Sequence, residues 1–378
     1  MDNITKEEDI LNLVREAKSE DIPYERVFSS MCTYPHPIAV KAHNLFLSSN
    51  AGDPGIFKGT NKLEKKVISM IGDLLHKRDA CGYISTGGTE SNIQAIRMAR
   101  NLKQRKKPNF IVSEMGHFSF EKTADILGIK LKKAEVRDDL TIDPDSVERL
   151  IDDDTIAIVG IAGTTEFGQI DPIEELSKIA LENDIFLHID GAFGGFVIPF
   201  LDEKYMFDFE LDGVSSISVD PHKMGMSVIP SGALLTRDKK YLKRLEISTP
   251  YLSSKSQFTL TGTRSGASIA ATYAVLMYLG WDGFKSIVKS CLRMTNIIVE
   301  GMRDLDINPV IDPKMNVLAL NVPKLCKVFN TLWKKGWCVS KTRKPKALRL
   351  VIMPHITEDI IDDFLKDFKR ALRDNLIR

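Results

Sequence analysis

From residue 81 the chain alternates a short β-branched or apolar run with a helix-forming run, and repeats this as far as residue 236. Candidate strands are 81–85, 110–113, 130–136, 155–161, 185–189, 214–219 and 232–236, and candidate helices are 90–106, 120–127, 143–151 and 172–183. Strands that alternate with helices join in parallel through crossovers. The pattern therefore predicts an α/β fold, with a mostly parallel central sheet and helices on both faces. Ala157-Ile158-Val159-Gly160-Ile161 is apolar throughout, as suits a strand buried on both sides. Ligands of such sheets bind beyond the carboxyl ends of the strands, so the residues that follow each strand are where chemistry belongs.

The flanks differ from this middle. Residues 1–50 read as a helical arm, with helical spacing over 4–18, a proline-marked break at 34–37 and a second helix at 38–47. Gly52-Asp53-Pro54-Gly55-Ile56-Phe57-Lys58-Gly59-Thr60 holds too much glycine for a plain connection, which suggests backbone close to something else. With the large domain set at 51–282, a helical stretch over 268–278 and 283–305 leads to a smaller C-terminal α+β domain at 283–378. That domain reads as strand 316–322, helix 325–335, strand 348–353 and helix 358–372.

Charge narrows the partners. The sequence has 52 Lys and Arg against 51 Asp and Glu in 378 residues, a net charge of +1. This makes no electrostatic case for nucleic acid or a membrane surface. The start of the chain lacks a secretory pattern, and no apolar run reaches membrane-spanning length, so a cytoplasmic protein is expected. The five cysteines are scattered without a Cys-x-x-Cys pair and predict neither a zinc site nor a disulfide frame.

Five strand ends carry candidate chemistry. Asp220-Pro221-His222-Lys223 follows strand 214–219, and a lysine there could form a Schiff base with a cofactor aldehyde. Asp190 closes strand 185–189 and is followed by Gly191-Ala192-Phe193-Gly194-Gly195, small residues that leave room for a flat ligand. Its carboxylate could bind a metal, but no other ligand sits at metal spacing nearby; it could instead hold a proton on a ring nitrogen. His188 is read as facing away from Asp190, a core histidine. Ser85-Thr86-Gly87-Gly88-Thr89-Glu90-Ser91-Asn92 joins a strand to a helix and suits a phosphate, or is simply a tight turn with Thr89 as N-cap. His117 and the pair Thr164 and Thr165 follow two further strands.

These motifs, in this order, resemble fold-type I pyridoxal-phosphate enzymes of the group II decarboxylase family. The set is most similar to the compact archaeal L-tyrosine/L-aspartate decarboxylases, from about Gly52 to the C-terminus. The resemblance implies that Lys223 carries the cofactor covalently with His222 beside it near the phosphate. It implies that Asp190 pairs with the ring nitrogen, Ala192 and His117 take the two ring faces, Gly88 and Thr89 hold the phosphate, and Thr164 lies near the ring edge. Thr263, in Gly262-Thr263-Arg264, would reach a neighbouring subunit's phosphate, which implies a homodimer with shared sites. Tyr251 is the candidate acid on the short stretch 247–260. Arg349 would clamp the substrate α-carboxylate, or else make an interdomain ion pair. Phe57 with Ile56 would read a tyrosine ring, and Lys58 or Arg264 an aspartate side chain. The expected reaction is decarboxylation of L-tyrosine to tyramine, L-aspartate to β-alanine, or both, serving methanofuran and coenzyme A synthesis. The alternatives are another fold-type I reaction (glutamate decarboxylation, carbon–carbon cleavage or aminotransfer) or a non-catalytic relative.

Overall fold

Seven strands make the central sheet: β1 (Cys81–Ser85), β2 (Asn109–Ser113), β3 (Lys130–Ala134), β4 (Thr155–Ile161), β5 (Phe186–Asp190), β6 (Val214–Val219) and β7 (Gly232–Thr236). They lie in the order β1-β7-β6-β5-β4-β2-β3 in a computed structural model that describes residues 6–376. The five strands β6 to β3 pair in parallel, and β7 runs antiparallel to both of its neighbours. All seven expected strands form, with ends moved by two residues at most. Every residue of β4 is buried. Ile158 packs into the core on one side of the sheet and Ala157 and Val159 into the core on the other, which is why this strand has no polar face.

Helices α1 (Glu7–Ser19), α2 (Pro37–Leu45) and α3 (Lys58–Leu74) precede the sheet. Within it, α4 (Gly88–Lys103), α5 (Ser119–Leu127), α6 (Pro144–Leu150) and α7 (Ile173–Glu182) make the crossovers, and α8 (Lys239–Lys243) follows β7. The expected first helix began at Ile4, which lies outside the described residues; α1 itself buries no residue. Among the described residues no helix is long and apolar enough to cross a membrane.

The arm is not wholly helical. Val27 bridges Cys338 in parallel, and Phe28 accepts from the Val351 N–H at 2.7 Å, so a short extended piece joins the C-terminal sheet. The cause is the fully buried Phe28 ring, which packs against Trp337 and Phe364.

A hairpin, β8 (Ile247–Ser248) with β9 (Ser256–Gln257), leads to α9 (Gly266–Arg303), whose course breaks at Gly280 with φ +54°. Beyond it β10 (Val317–Leu320), β11 (Ser340–Lys341) and β12 (Leu348–Val351) form a small antiparallel sheet in the order β10-β12-β11. Helices α10 (Leu325–Lys334) and α11 (Glu358–Leu376) complete this region. Its own apolar core includes Leu332, Leu350 and Phe368.

Candidate active site

The carboxyl ends of β2, β4, β5 and β6 and the start of α4 surround a cavity of about 320 Å³. Its lining includes Gly88, Thr89, His117, Asp190, Ala192, His222 and Lys223. The parallel register sets Asp190, the last residue of β5, beside Ser218 of β6. Lys223 then returns on a turn in which its own N–H donates to Asp220 O at 3.0 Å. Two acid–base groups reach one cavity because two adjacent parallel strands end at the same edge.

The start of α4 is built for an anion. Gly87 is the N-cap at φ +153°, and no side chain caps the helix, so first-turn N–H groups stay available. A Cβ on Gly88 would stand 3.0 Å from Ala192 Cβ and 3.1 Å from Asp220 Oδ2, closer than ordinary side-chain contact, so glycine keeps this approach open. Thr89 is a helical residue, not the N-cap that a plain turn would have made it. Glu90 turns back and accepts from the Tyr83 hydroxyl at 2.9 Å and from the Thr86 N–H at 2.9 Å.

Asp190 is held from three sides. Oδ2 accepts from Asn92 Nδ2 at 2.9 Å, and Oδ1 accepts from the Ala192 N–H at 3.1 Å and the Ser218 hydroxyl at 3.4 Å. Asn92 Oδ1 in turn accepts from His188 Nε2 at 3.0 Å, and His188 Nδ1 accepts from the Ser216 hydroxyl at 2.8 Å. His188 therefore does not face away from Asp190. Residues two apart on a strand share a face, and both side chains reach Asn92. Burial lowers the His188 pKa to about 4 and keeps it neutral.

His117 accepts from the Ser119 N–H at Nδ1 across 3.2 Å, so its proton sits on Nε2. Burial lowers its pKa, and it stays neutral near pH 7. His222, also lowered by burial, places Nδ1 2.6 Å from Ser231 O. Burial likewise pulls on Lys223, but Asp220 at 3.0 Å, aided by Asp190, outweighs it and raises the lysine above its ordinary value.

Other expected residues fall elsewhere. Thr164 is fully buried, and its hydroxyl closes a turn by accepting from the Gln169 N–H at 3.0 Å; Thr165 lines the cavity instead. Arg349 makes no ion pair among the described residues. Nε donates to Thr165 O at 2.6 Å, and Nη1 donates to Ser29 O at 2.9 Å and to Ser340 Oγ at 3.1 Å. It thus ties β12 to the turn after β4 and to the arm, and burial lowers its pKa to about 10. Arg264 is committed to Glu64, at 2.5 and 3.1 Å.

Phe57, Lys58, Tyr251 and Thr263 do not line the cavity of their own chain. They belong to segments that meet elsewhere. Gly55 N–H donates to Ser253 Oγ at 2.8 Å, and Gln257 Nε2 donates to Gly52 O and Gly262 O. Tyr251 is 86% exposed, and Lys58 and Thr263 are exposed with it.

Motif reading left several lining residues without a role, among them Met31, Asn92, Met115, Thr165 and Asp220. Asn92 and Asp220 stand inside quoted motifs and carried a signal; Met31 comes from the distant arm and carried none.

The donor set suits a phosphorylated aromatic aldehyde: an amine, a helix start cleared by glycine, and a carboxylate fixed in place. Comparison with known proteins agrees. Residues 57–318 match the pyridoxal-dependent decarboxylase conserved domain. A probable L-aspartate decarboxylase of Archaeoglobus fulgidus is 54% identical over 97% of this chain and 100% of its own length. A probable L-tyrosine/L-aspartate decarboxylase of Methanothrix thermoacetophila is 53% identical over 97% of this chain and 96% of its own. A solved sphingosine-1-phosphate lyase of Burkholderia pseudomallei superposes with a TM-score of 0.90 at 28% identity, covering 99% of this chain and 92% of that one.

Proposed function

The chain belongs to the pyridoxal-dependent decarboxylase family, and on that premise we propose that it removes the α-carboxylate of L-aspartate, L-tyrosine or both as carbon dioxide. It is a pyridoxal-phosphate carboxy-lyase of fold type I acting on a small amino acid. The two substrates are those in the names of relatives that match over nearly their full length. The observation that carries the reading is the convergence of Lys223, Asp190 and the uncapped start of α4 on one cavity.

Pyridoxal phosphate, when bound, supplies an aldehyde carbon that captures amines and a ring that accepts the electrons of a breaking bond. Lys223 would hold the aldehyde carbon. Gly88 and Thr89 would give their N–H groups to the phosphate, with His222 beside them. Asp190 would stabilise the proton on the ring nitrogen, since a nearby anion favours the charged cation. Its grip by Asn92 and Ala192 N–H keeps that anion oriented without rearrangement. Ala192 offers a methyl small enough for a ring to lie against, and neutral His117 would cover the opposite face without adding charge.

Orientation of the substrate is the protein's own task. In this reading Arg349 presents Nη2, which has no hydrogen-bond partner among the described residues, to the α-carboxylate. Phe57, Lys58, Tyr251 and Thr263 complete the cavity of a second copy, making the working unit a homodimer with shared sites. Lys58 would then be the cation for an aspartate side chain, because Arg264 is taken by Glu64. The division at 1–50, 51–282 and 283–378 belongs to the same proposal, and the break in α9 at Gly280 falls close to its second boundary.

The test is amine and carbon dioxide release from a panel of free amino acids, repeated with Lys58→Ala and Phe57→Ala. Lys58→Ala should favour tyrosine over aspartate, and Phe57→Ala the reverse. Release from neither amino acid would overturn the substrate reading, and equal losses in both variants would remove that loop from substrate selection.

A further inference from the structure

Asp220 has no role in the reading above, yet it makes the ion pair with Lys223. Its Oδ2 lies 3.0 Å from Lys223 Nζ, the side chain is 2% exposed, and Oδ1 is buried without a hydrogen-bond partner among the described residues. The backbone fixes the contact, with Asp220 N–H donating to Ala192 O at 3.1 Å. The same carboxylate borders the start of α4. Its oxygens lie 3.1 and 3.6 Å from where a Cβ on Gly88 would stand, nearer than any atom of Lys223.

Charge decides what this placement does. The ammonium of Lys223 must lose a proton before its nitrogen can attack an aldehyde, and the Asp220 carboxylate beside it holds that proton on. The other groups facing the pair do little to relieve it. His117 and His222 are pushed towards neutrality by burial, and burial raises the Cys32 thiol. Asp190 is already bonded to Asn92, Ser218 and the Ala192 N–H. Glu90 is turned to Tyr83 and Thr86.

We propose that Asp220 accepts the Lys223 proton, and that a phosphate bound at the start of α4 drives the transfer. The inference rests on Lys223 being the cofactor lysine. One N–H bond of the ammonium breaks, one O–H bond forms on Asp220 Oδ2, and the electron pair left on Nζ becomes free to react. A phosphate dianion beside the carboxylate disfavours its charged form, so the ion pair turns into a neutral pair as the cofactor arrives. Lys223 thereby stays charged and unreactive towards aldehydes that lack a phosphate. Without the carboxylate the sign reverses, because an anion beside a lone ammonium stabilises its charge.

The test incubates the full-length, cofactor-stripped protein with pyridoxal, which lacks the phosphate, with and without inorganic phosphate from about pH 6 to 10. Borohydride trapping and peptide mass spectrometry then read the fraction of Lys223 labelled. Phosphate should lower the pH of half-labelling by about one unit in the wild type. In Asp220→Asn it should leave that pH unchanged or raise it, and Asp220→Glu should restore the lowering. A rise in the wild type, no change there, or an equal lowering in Asp220→Asn overturns the proposal. Should Asp220→Asn fail to fold, the wild-type comparison alone decides. Failure of the underlying reading looks different, since Lys223 would then take no label from pyridoxal phosphate itself.

Discussion

Asn92 donates to Asp190 across 2.9 Å and, through its other amide atom, accepts from His188 at 3.0 Å. One side chain on α4 thus sets the direction of a carboxylate on β5 and the tautomer of a histidine behind it. Removing it strands two buried polar groups, at roughly 1–3 kcal/mol each. Asn92→Ala should lower stability by about 2 kcal/mol or more and weaken cofactor retention, read by denaturant unfolding and by dialysis of the holoenzyme. Unchanged retention would show that Asp190 needs no support from α4.

Asp190→Asn keeps the shape of the side chain and removes its charge. The variant should fold and still take up cofactor, yet decarboxylate more than tenfold more slowly, about 1.4 kcal/mol of barrier. Turnover within that margin would show that the carboxylate's charge is not what the reaction uses.

Lys223→Ala removes the amine in the cavity. It should lose the covalent cofactor and its visible absorbance, with turnover reduced on the order of 10³-fold or more. A borohydride-stable adduct at another lysine in this variant would reassign the cofactor lysine.

Shared sites can be tested by mixing. Lys223→Ala and Tyr251→Phe carry their defects in different segments, so a mixed dimer would own one cavity with both residues intact. If Tyr251 serves a second copy and each variant alone is slow, mixing and refolding should restore up to about a quarter of wild-type activity. No recovery, or full activity from a monomer, would assign Tyr251 to the cavity of its own chain, and an unimpaired Tyr251→Phe would place it outside the site.

His188 titrates in the folded protein at about pH 4, against an ordinary value of 6.5. Its folded value is depressed, so its contribution to stability is present above pH 6.5 and is lost as pH falls towards 4. Between pH 7 and 5 the loss from this group is about 2 kcal/mol. His188→Gln, which cannot charge, should show a shallower fall over that window in denaturant melts, whatever its stability at pH 7. Parallel curves for the two proteins would assign the acid sensitivity to other groups.

Much of this protein is decided by local pattern. The strands β1 to β7, the buried character of β4 and the cluster of Asp190, Lys223 and Gly88 at one sheet edge all follow from periodicity and from motifs that sit at strand ends. Short-range rules suffice there, because a parallel sheet delivers the residue after each strand to the same edge. Tertiary structure decided the rest. That Arg349 holds Thr165 O and Ser29 O depends on segments far apart in the chain meeting at β12. That Thr165 and not Thr164 reaches the cavity turns on which hydroxyl a single turn consumes. That Phe57, Lys58 and Tyr251 do not line their own cavity goes with contacts that tie their segments to each other, such as Gly55 with Ser253. The pairing of Asp220 with Lys223 is the intermediate case. Both residues stand in one legible motif, but the turn that brings a carboxylate within 3.0 Å of an amine, with the carboxylate against the start of α4, exists only once the sheet has formed.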